Sequence, residues 1–136
     1  MRHWLLKTEP GTYSYADLEK DGKTNWNGVR NFQARNSIAE MKPGDPVLVY
    51  HSGSDRQVMG VARVSGAPYP DPDPRKPGDW LQVDLVPLKR LARPVTLAEM
   101  KGVAALRSMA LFKQGRLSVV LVTEPQFKAV LKLGAS

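Results

Sequence analysis

Apolar and polar residues alternate over several short stretches of the chain, which is the pattern of half-buried β-strands. In residues 46–52, Val47 and Val49 point to one face and Leu48 and Tyr50 to the other. The same pattern predicts further strands at 4–8, 58–64, 80–86 and 117–122. Within 58–64, Gly60 leaves a strand position without a side chain, which is typical of tight curvature or of a close approach by another group.

Short helices are predicted between these strands by their capping residues. A capping box or a box-like start is found at Ser14, Thr96 and Thr123, each followed three residues later by Asp, Glu or Gln. A further helix is predicted over 31–41, where Ala34, Ile38 and Met41 share one face and Pro43-Gly44 follows. Short curved strands with several short helices favour the α+β class and a mixed β-barrel of about five to six strands.

The length of 136 residues suits one domain, which we expect to span 1–136. The formal net charge is +7, and it is unevenly distributed. Residues 1–84 carry 11 Lys or Arg and 11 Asp or Glu, whereas residues 85–136 carry 9 and 2. A basic surface of this kind fits a polyanionic partner such as nucleic acid, although small domains are also basic merely for solubility.

The chain contains no cysteine, which excludes disulfides, thiolate metal sites and a cysteine nucleophile. The apolar run at the N-terminus is too short for a signal peptide, and no segment approaches the length of a membrane span. We therefore expect a soluble, cytoplasmic protein without a membrane partner.

Signs of catalysis are weak. The two histidines are His3 and His51, and His51 and its neighbour Ser52 point to opposite faces of a strand. No nucleophile elbow, phosphate loop or dinucleotide fingerprint is present. With so few soft ligands, neither a metal site nor a cofactor is expected.

Residues 26–36 are the most informative stretch for function. They combine an indole, a glycine, several side-chain amides and the guanidinium groups of Arg30 and Arg35. Such groups stack on a flat ring, read hydrogen-bonding edges and hold phosphate. The alternative is that the Trp26 ring covers one end of the barrel while its N–H meets a carbonyl. Trp4 and Trp80 are expected to lie in the core.

The polar end of strand 46–52 is a second candidate, because Tyr50, His51 and Ser52 follow an apolar run. Such an end is typical of a barrel mouth, where these groups would hydrogen-bond a base edge. The alternative is an ordinary strand terminus covered by a tyrosine.

Several motifs, taken in order, closely resemble the EVE domain family over essentially the whole chain. They are Lys7-Thr8-Glu9-Pro10, Trp26-Asn27-Gly28-Val29-Arg30-Asn31, Tyr50-His51-Ser52 and Arg116-Leu117-Ser118-Val119. The resemblance implies a PUA-like barrel, related in fold to the ASCH and YTH domains. It also implies a module that binds nucleic acid and accepts one flipped base in an aromatic-lined pocket, with 5-methylcytosine and its oxidised forms in DNA as favoured ligands.

The resemblance also implies a role for each matching residue. Trp26 is expected to stack on the base, with Val29, Arg30 and Asn31 at the rim, and Tyr50, His51 and Ser52 at the base edge or a phosphate. Lys7, Thr8 and Glu9 are expected to line the mouth, Leu117 and Ser118 to close the pocket, and Arg30, Arg35 and Arg116 to contact the backbone. Two features depart from the family pattern, namely Val120-Leu121 after the last motif and the proline-rich segment from Pro68 to Pro77.

The sequence thus predicts a non-catalytic, monomeric reader of a modified base, with DNA favoured over RNA. Two alternatives remain open. One is an enzyme that acts on a nucleotide or small anion through His51 and a nearby acid, and the other is a protein-interaction module whose pocket is vestigial.

Overall fold

The structure, a computed structural model, describes residues 2–72, 80–114 and 117–135. Its strands are β1 (His3–Thr8), β2 (Thr24–Trp26), β3 (Pro46–His51), β4 (Gln57–Val64), β5 (Tyr69–Pro70), β6 (Leu81–Thr96) and β7 (Val119–Val122). Its helices are α1 (Tyr15–Asp21), α2 (Phe32–Ala39), α3 (Leu97–Lys101), α4 (Ala110–Lys113) and α5 (Glu124–Leu133), with a 3₁₀ turn at Ala104–Leu106.

The strands form one curled mixed sheet in the order β2-β6-β4-β3-β1-β7, and β5 pairs with β6. β1 and β3 are parallel, with Trp4 opposite Val47 and Thr8 opposite His51, so both strands end at the same edge of the sheet. The other strand pairs are antiparallel. This arrangement confirms the predicted α+β class and the PUA-like, barrel-like sheet with short helices.

The two faces of the central strands enter two separate apolar clusters, which is what the alternation along the chain predicts. Leu5 and Leu48 face a cluster completed by α5 and the 99–112 region, whereas Leu6 and Val49 face a cluster completed by α1 and α2. The predicted burial of Trp4 is confirmed, since the side chain is fully buried and its Nε1 donates to Asp45 at 3.0 Å.

The expected close approach at Gly60 is made by the ring of Tyr15. A Cβ at position 60 would lie 2.7 Å from Cε1 and 2.8 Å from Cε2 of that ring. The Tyr15 hydroxyl donates to the Val61 carbonyl at 2.8 Å. The missing side chain therefore lets the Tyr15 ring of α1 pack against β4.

The predicted capping boxes at Ser14, Thr96 and Thr123 are all present. The helix expected over 31–41 is shorter, because Asn31 is its N-cap and Ala39 its last residue. None of the helices in the described ranges is long and apolar enough to cross a bilayer.

Three strands differ from expectation. β2 and β5 were not predicted. β6 runs ten residues beyond the predicted end at 86 and passes through Pro87 and Pro94. Both prolines lie where the pairing of β4 and β6 shifts register, between Val61 and Ala62 and between Val58 and Gly60. A proline lacks the N–H that a regular ladder needs, and a bulge tolerates that loss.

Candidate functional site: a cavity beside Trp26

An open cavity of about 550 Å³ lies at the C-terminal end of β1. We call it the Trp26 cavity. Two aromatic rings, several short polar side chains and groups of both charges surround it: Lys7, Thr8, Glu9, Thr12, Tyr13, Thr24, Asn25, Trp26, Asn27, Gly28, Val29, Arg30 and Ser118. A volume of this size is in the range of small-ligand pockets.

Backbone and side-chain hydrogen bonds join the walls of the Trp26 cavity. The Lys7 N–H donates to the Ser118 carbonyl at 2.9 Å, which joins the end of β1 to the segment before β7. The Thr8 hydroxyl donates to the Tyr13 carbonyl at 2.6 Å, which holds the loop before α1. The cavity is therefore built on the edge of the sheet and not on loops alone.

Trp26 is half-buried, and it lies on β2 opposite Val83 of β6. Its indole packs against the cluster around Leu6 and also lines the cavity. Thr24-Asn25-Trp26 is a short strand held by pairing with β6. One part of the Trp26 side chain therefore supports the core, and another part remains at the cavity.

Asp71 holds the loop that follows β2. Its Oδ2 accepts from the Gly28 N–H and from the Arg30 guanidinium, both at 2.9 Å, and the carboxylate is buried. Gly28 has φ 79°, a conformation that glycine adopts without strain. The Arg30 guanidinium lies 5.5 Å from the centroid of the buried Trp80 ring. Asp71 belongs to the proline-rich segment, whose residues 73–77 lie outside the described part of the chain.

The electrostatics of the cavity are mixed. Partial burial lowers the pKa of Lys7 from its ordinary value, because desolvation disfavours the charged amine. Glu9 is exposed and places a carboxylate among these basic groups, while the Asn25 amide donates to Gln82 at 2.9 Å. The lining of this cavity therefore contains both hydrogen-bond donors and acceptors.

His51 does not reach the cavity. It is buried, its Nε2 accepts from the Tyr15 N–H at 3.0 Å, and its Nδ1 lies 3.3 Å from Asp55 Oδ2. This pairing assigns the ring proton to Nδ1. The geometry therefore gives no support to the predicted contact of His51 with a base edge or a phosphate, because both ring nitrogens serve the start of α1 and the turn after β3.

The other expected site residues are divided among several places. Tyr50 and Ser52 line a second cavity, and Leu117 lies in the core. The Asn31 side chain accepts from the Ala34 N–H as the α2 cap. Arg35 lies 5.4 Å from the centroid of the Phe32 ring, outside the lining of the Trp26 cavity, and Arg116 lies outside the described residues.

Sequence reasoning missed part of the lining. Tyr13 is the second ring at the cavity, and its hydroxyl donates to Asp21 at 2.9 Å. Asn25 and Asn27 flank Trp26. Their proximity to Trp26 in the sequence was the available signal, but only the pairing of β2 with β6 shows which groups line the cavity.

A curled mixed α+β sheet with an open cavity at the end of its first strand is the architecture that the sequence led us to expect, and the comparisons name the family. The sequence model of the EVE domain matches residues 2–133, and the chain belongs to that family. Human thymocyte nuclear protein 1 is 32% identical over an alignment 164 positions long, which covers 96% of this chain and 73% of the human protein.

Solved structures agree with this assignment. A hypothetical protein from Leishmania major superposes with a TM-score of 0.94 at 36% identity, covering 98% of this chain and 94% of the other. Human THYN1 protein in complex with 5-methylcytosine-containing DNA superposes with a TM-score of 0.91 at 30% identity, covering 100% and 99%. The curated relative is called a nuclear protein, so a cytoplasmic location for this chain stays a prediction.

Within residues 2–72, 80–114 and 117–135, no group of three or more His, Cys, Asp or Glu side chains is placed to hold a metal ion. The expectation that the chain uses neither metal nor cofactor stays a prediction, as do the monomeric state and the boundaries 1–136 of the domain.

Proposed function

We propose that this protein binds DNA and reads a modified base of the 5-methylcytosine type, which flips out of the duplex into the Trp26 cavity, and that it does so without catalysis. The observation that carries the proposal is the Trp26 cavity itself, which combines stacking rings, hydrogen-bonding groups and cations. Support comes from human THYN1 protein, whose structure in complex with 5-methylcytosine-containing DNA superposes on 100% of this chain.

Stacking supplies the first part of the binding energy. A flipped base loses its neighbours in the duplex at a cost of a few kcal/mol. Contact with an aromatic side chain contributes about 1–3 kcal/mol per base, and Trp26 and Tyr13 are both at the cavity. The two terms are of similar size, so the hydrogen bonds decide which bases remain bound.

Hydrogen bonds to the edge of the base supply the second part of the binding energy. Cytosine carries an exocyclic amine that donates, whereas thymine carries an oxygen at the same position. The Glu9 carboxylate can only accept hydrogen bonds, so it favours cytosine over thymine. Both 5-methylcytosine and thymine carry the methyl group, and Glu9 provides a means of distinguishing them.

Contacts with the DNA backbone supply the third part of the binding energy. Arg30 is fixed by Asp71 at the rim of the cavity, where it offers a guanidinium group to phosphate. The excess of basic residues in 85–136 adds attraction that does not depend on sequence and that salt weakens. We retain DNA over RNA as the preferred polymer, because the THYN1 complex contains DNA.

The enzyme alternative loses its main residue. It required His51 as a base, and both nitrogens of that ring are already engaged in a buried position. The interaction-module alternative is kept as an outcome of the experiment below.

The experiment is a titration of the protein with short DNA duplexes that carry cytosine, 5-methylcytosine, 5-hydroxymethylcytosine or thymine at one central position. RNA of matched sequence is titrated in parallel, and binding is followed by fluorescence anisotropy. The wild-type protein is expected to prefer 5-methylcytosine over cytosine by about 10–200-fold, the range for one methyl group in a close-fitting pocket. Equal affinity for all oligomers, or no binding, would reject the proposal in favour of an interaction module.

Trp26→Leu and Trp26→Phe provide the matched pair of variants. Both keep apolar bulk against the core, but only phenylalanine keeps a face on which a base stacks. The leucine variant is expected to lose about 5–150-fold in affinity, corresponding to about 1–3 kcal/mol, and the phenylalanine variant much less. Equal losses would show that the indole acts only as packing.

A further inference from the structure

A second cavity of about 440 Å³ lies on the other side of Lys7, at the ends of β1 and β3. We call it the Lys101 cavity. Its lining combines basic side chains, hydroxyl groups and an apolar wall: Lys7, Tyr50, Ser52, Gly53, Arg56, Leu97, Lys101, Leu111 and Phe112. The proposed base-binding role of the Trp26 cavity makes no use of it.

The charge of the Lys101 cavity is one-sided. Among its described lining residues are three basic side chains and no acidic one. In the part of the chain that the structure describes, neither Arg56 nor Lys101 forms an ion pair, and Arg56 donates from Nε to the Gly53 carbonyl at 3.2 Å. The Glu9 carboxylate comes close to this cavity, since its Oε1 lies 3.3 Å from the position that a Cβ of Gly53 would occupy. Glu9 itself lines the Trp26 cavity.

An apolar wall stands beside these cations. Phe112 is half-buried and Leu111 is buried, and both line the cavity. The Lys101 ammonium lies 6.0 Å from the centroid of the Phe112 ring, a distance at which a cation is attracted to the ring face. An anion with an adjoining less polar group fits this combination better than a free inorganic ion does.

The two cavities are neighbours, because Lys7 lines both. The Ser52 N–H at the edge of the Lys101 cavity donates to the carbonyl of Thr8 in the Trp26 cavity at 2.9 Å. Because the cavities are adjacent, a strand of DNA with one base in the Trp26 cavity can reach the Lys101 cavity with its next backbone unit.

We propose that the Lys101 cavity holds the backbone phosphate of the nucleotide next to the flipped one, with Lys7, Arg56 and Lys101 around the phosphate and the sugar against Phe112. The inference rests on the proposed function and adds a phosphate subsite to it. It assigns affinity to the Lys101 cavity and leaves the choice of base to the Trp26 cavity.

The test is the double variant Arg56→Gln/Lys101→Gln, since neither residue lines the Trp26 cavity. The slope of log K against log salt is expected to fall by about 1 for the lost phosphate contact, uniformly across sequences. The ratio of affinities for 5-methylcytosine and cytosine is expected to remain unchanged. A double variant with the wild-type slope would overturn the inference even if base discrimination is intact.

The control is Lys42→Gln/Arg63→Gln, which removes the same charge from exposed positions near Pro46, the residue at the opposite end of β3. It is expected to change the slope less than the test pair. An equal change in both double variants would show a general field effect and would also overturn the inference. Thermal melting of each variant establishes that it is folded before titration.

A neutral methylphosphonate at the phosphate on either side of the modified base supplies an independent measurement. On one side it is expected to weaken binding by the wild-type protein and to have little further effect on the Arg56→Gln/Lys101→Gln variant. If the losses from the methylphosphonate and from the double variant simply add, the two changes do not act on one contact, and the subsite is contradicted. Competition by a free nucleoside monophosphate as strong as that by the oligonucleotide would mean that the site takes free nucleotides, which also counts against it.

Failure of the proposed function has a different signature. It appears as equal affinity for modified and unmodified duplexes in the wild-type protein. Failure of the phosphate subsite appears as retained discrimination with an unchanged salt slope in the double variant. A wild-type protein that binds no DNA refutes both.

Discussion

The buried carboxylate of Asp71 accepts a hydrogen bond from the backbone N–H of Gly28 at 2.9 Å, across 43 positions of the chain. The same oxygen accepts from Arg30. A residue of the proline-rich segment thereby fixes the loop that carries one rim of the Trp26 cavity, so this segment has a structural role at the cavity.

Asp71→Asn is expected to lower the free energy of unfolding by about 1–3 kcal/mol, because the Arg30 guanidinium loses a charged acceptor in a partly buried position. DNA affinity is expected to fall several-fold as the loop loosens. Urea denaturation and the duplex titration measure the two effects. Glu40→Gln is the control, since it removes the exposed ion pair with Arg2 and is expected to cost at most about 1 kcal/mol. Equal effects of both variants would contradict the role of Asp71.

Glu9→Gln is expected to reduce the preference for 5-methylcytosine over thymine by roughly tenfold, because an amide presents either a donor or an acceptor to the base. Affinity for 5-methylcytosine alone is expected to change less than the ratio. The measurement is parallel titration of the two duplexes. Asp17→Asn, an exposed carboxylate in the α1 capping box, is the control for loss of one negative charge. An unchanged ratio in Glu9→Gln would place the discrimination elsewhere.

His51→Ala is expected to lower stability by about 1–3 kcal/mol, since the Tyr15 N–H loses its acceptor in a buried position. DNA binding is expected to persist at temperatures well below the melting point. Chemical denaturation and titration at low temperature separate the two properties. Normal stability combined with lost binding would return His51 to the site.

Glu99 provides a prediction about pH. The pKa of the Glu99 carboxyl is held at about 2, well below its usual 4.5. The larger cause is a hydrogen bond from the Arg93 guanidinium, and the second is one from the Thr96 N–H. Because the folded-state pKa is depressed, its contribution to stability is present above about pH 4.5 and is lost as the pH falls through about 2.

The melting temperatures of wild type and Glu99→Gln are therefore expected to differ at pH 7 and to converge towards pH 2. Thermal unfolding across this range, monitored by circular dichroism, checks the convergence. The variant Glu124→Gln, at an exposed pair with Lys128 in α5, is the reference for a surface carboxylate. A difference for Glu99→Gln that is constant with pH would contradict the ionic origin.

Much of the fold could be predicted because its signals are local. Strand alternation around Val47–Tyr50 and the boxes at Ser14, Thr96 and Thr123 depend on residues within a few positions of each other. The close approach at Gly60 was also foreseeable, since an unsubstituted strand position has few other uses. Its partner, Tyr15, was not, because the contact joins residues 45 positions apart.

The site was predictable only in part, for a physical reason. Trp26 belongs to a three-residue polar strand whose existence depends on β6, nearly 60 residues later. His51 has the appearance of a functional residue in the sequence, and only the packing of α1 shows that its nitrogens are occupied. Residue types indicate what a side chain can bind, whereas its competitors for that bond come from the tertiary structure.

The parallel pairing of β1 with β3 has a further consequence. Parallel neighbours require a crossover connection, and here residues 9–45 make that excursion and carry most of the wall around Trp26. Substitutions, insertions or deletions within residues 9–45 can therefore change the lining of the Trp26 cavity while the pairing of β1 with β3 is preserved. The ligand preference of such a domain can thus diverge without a change of fold.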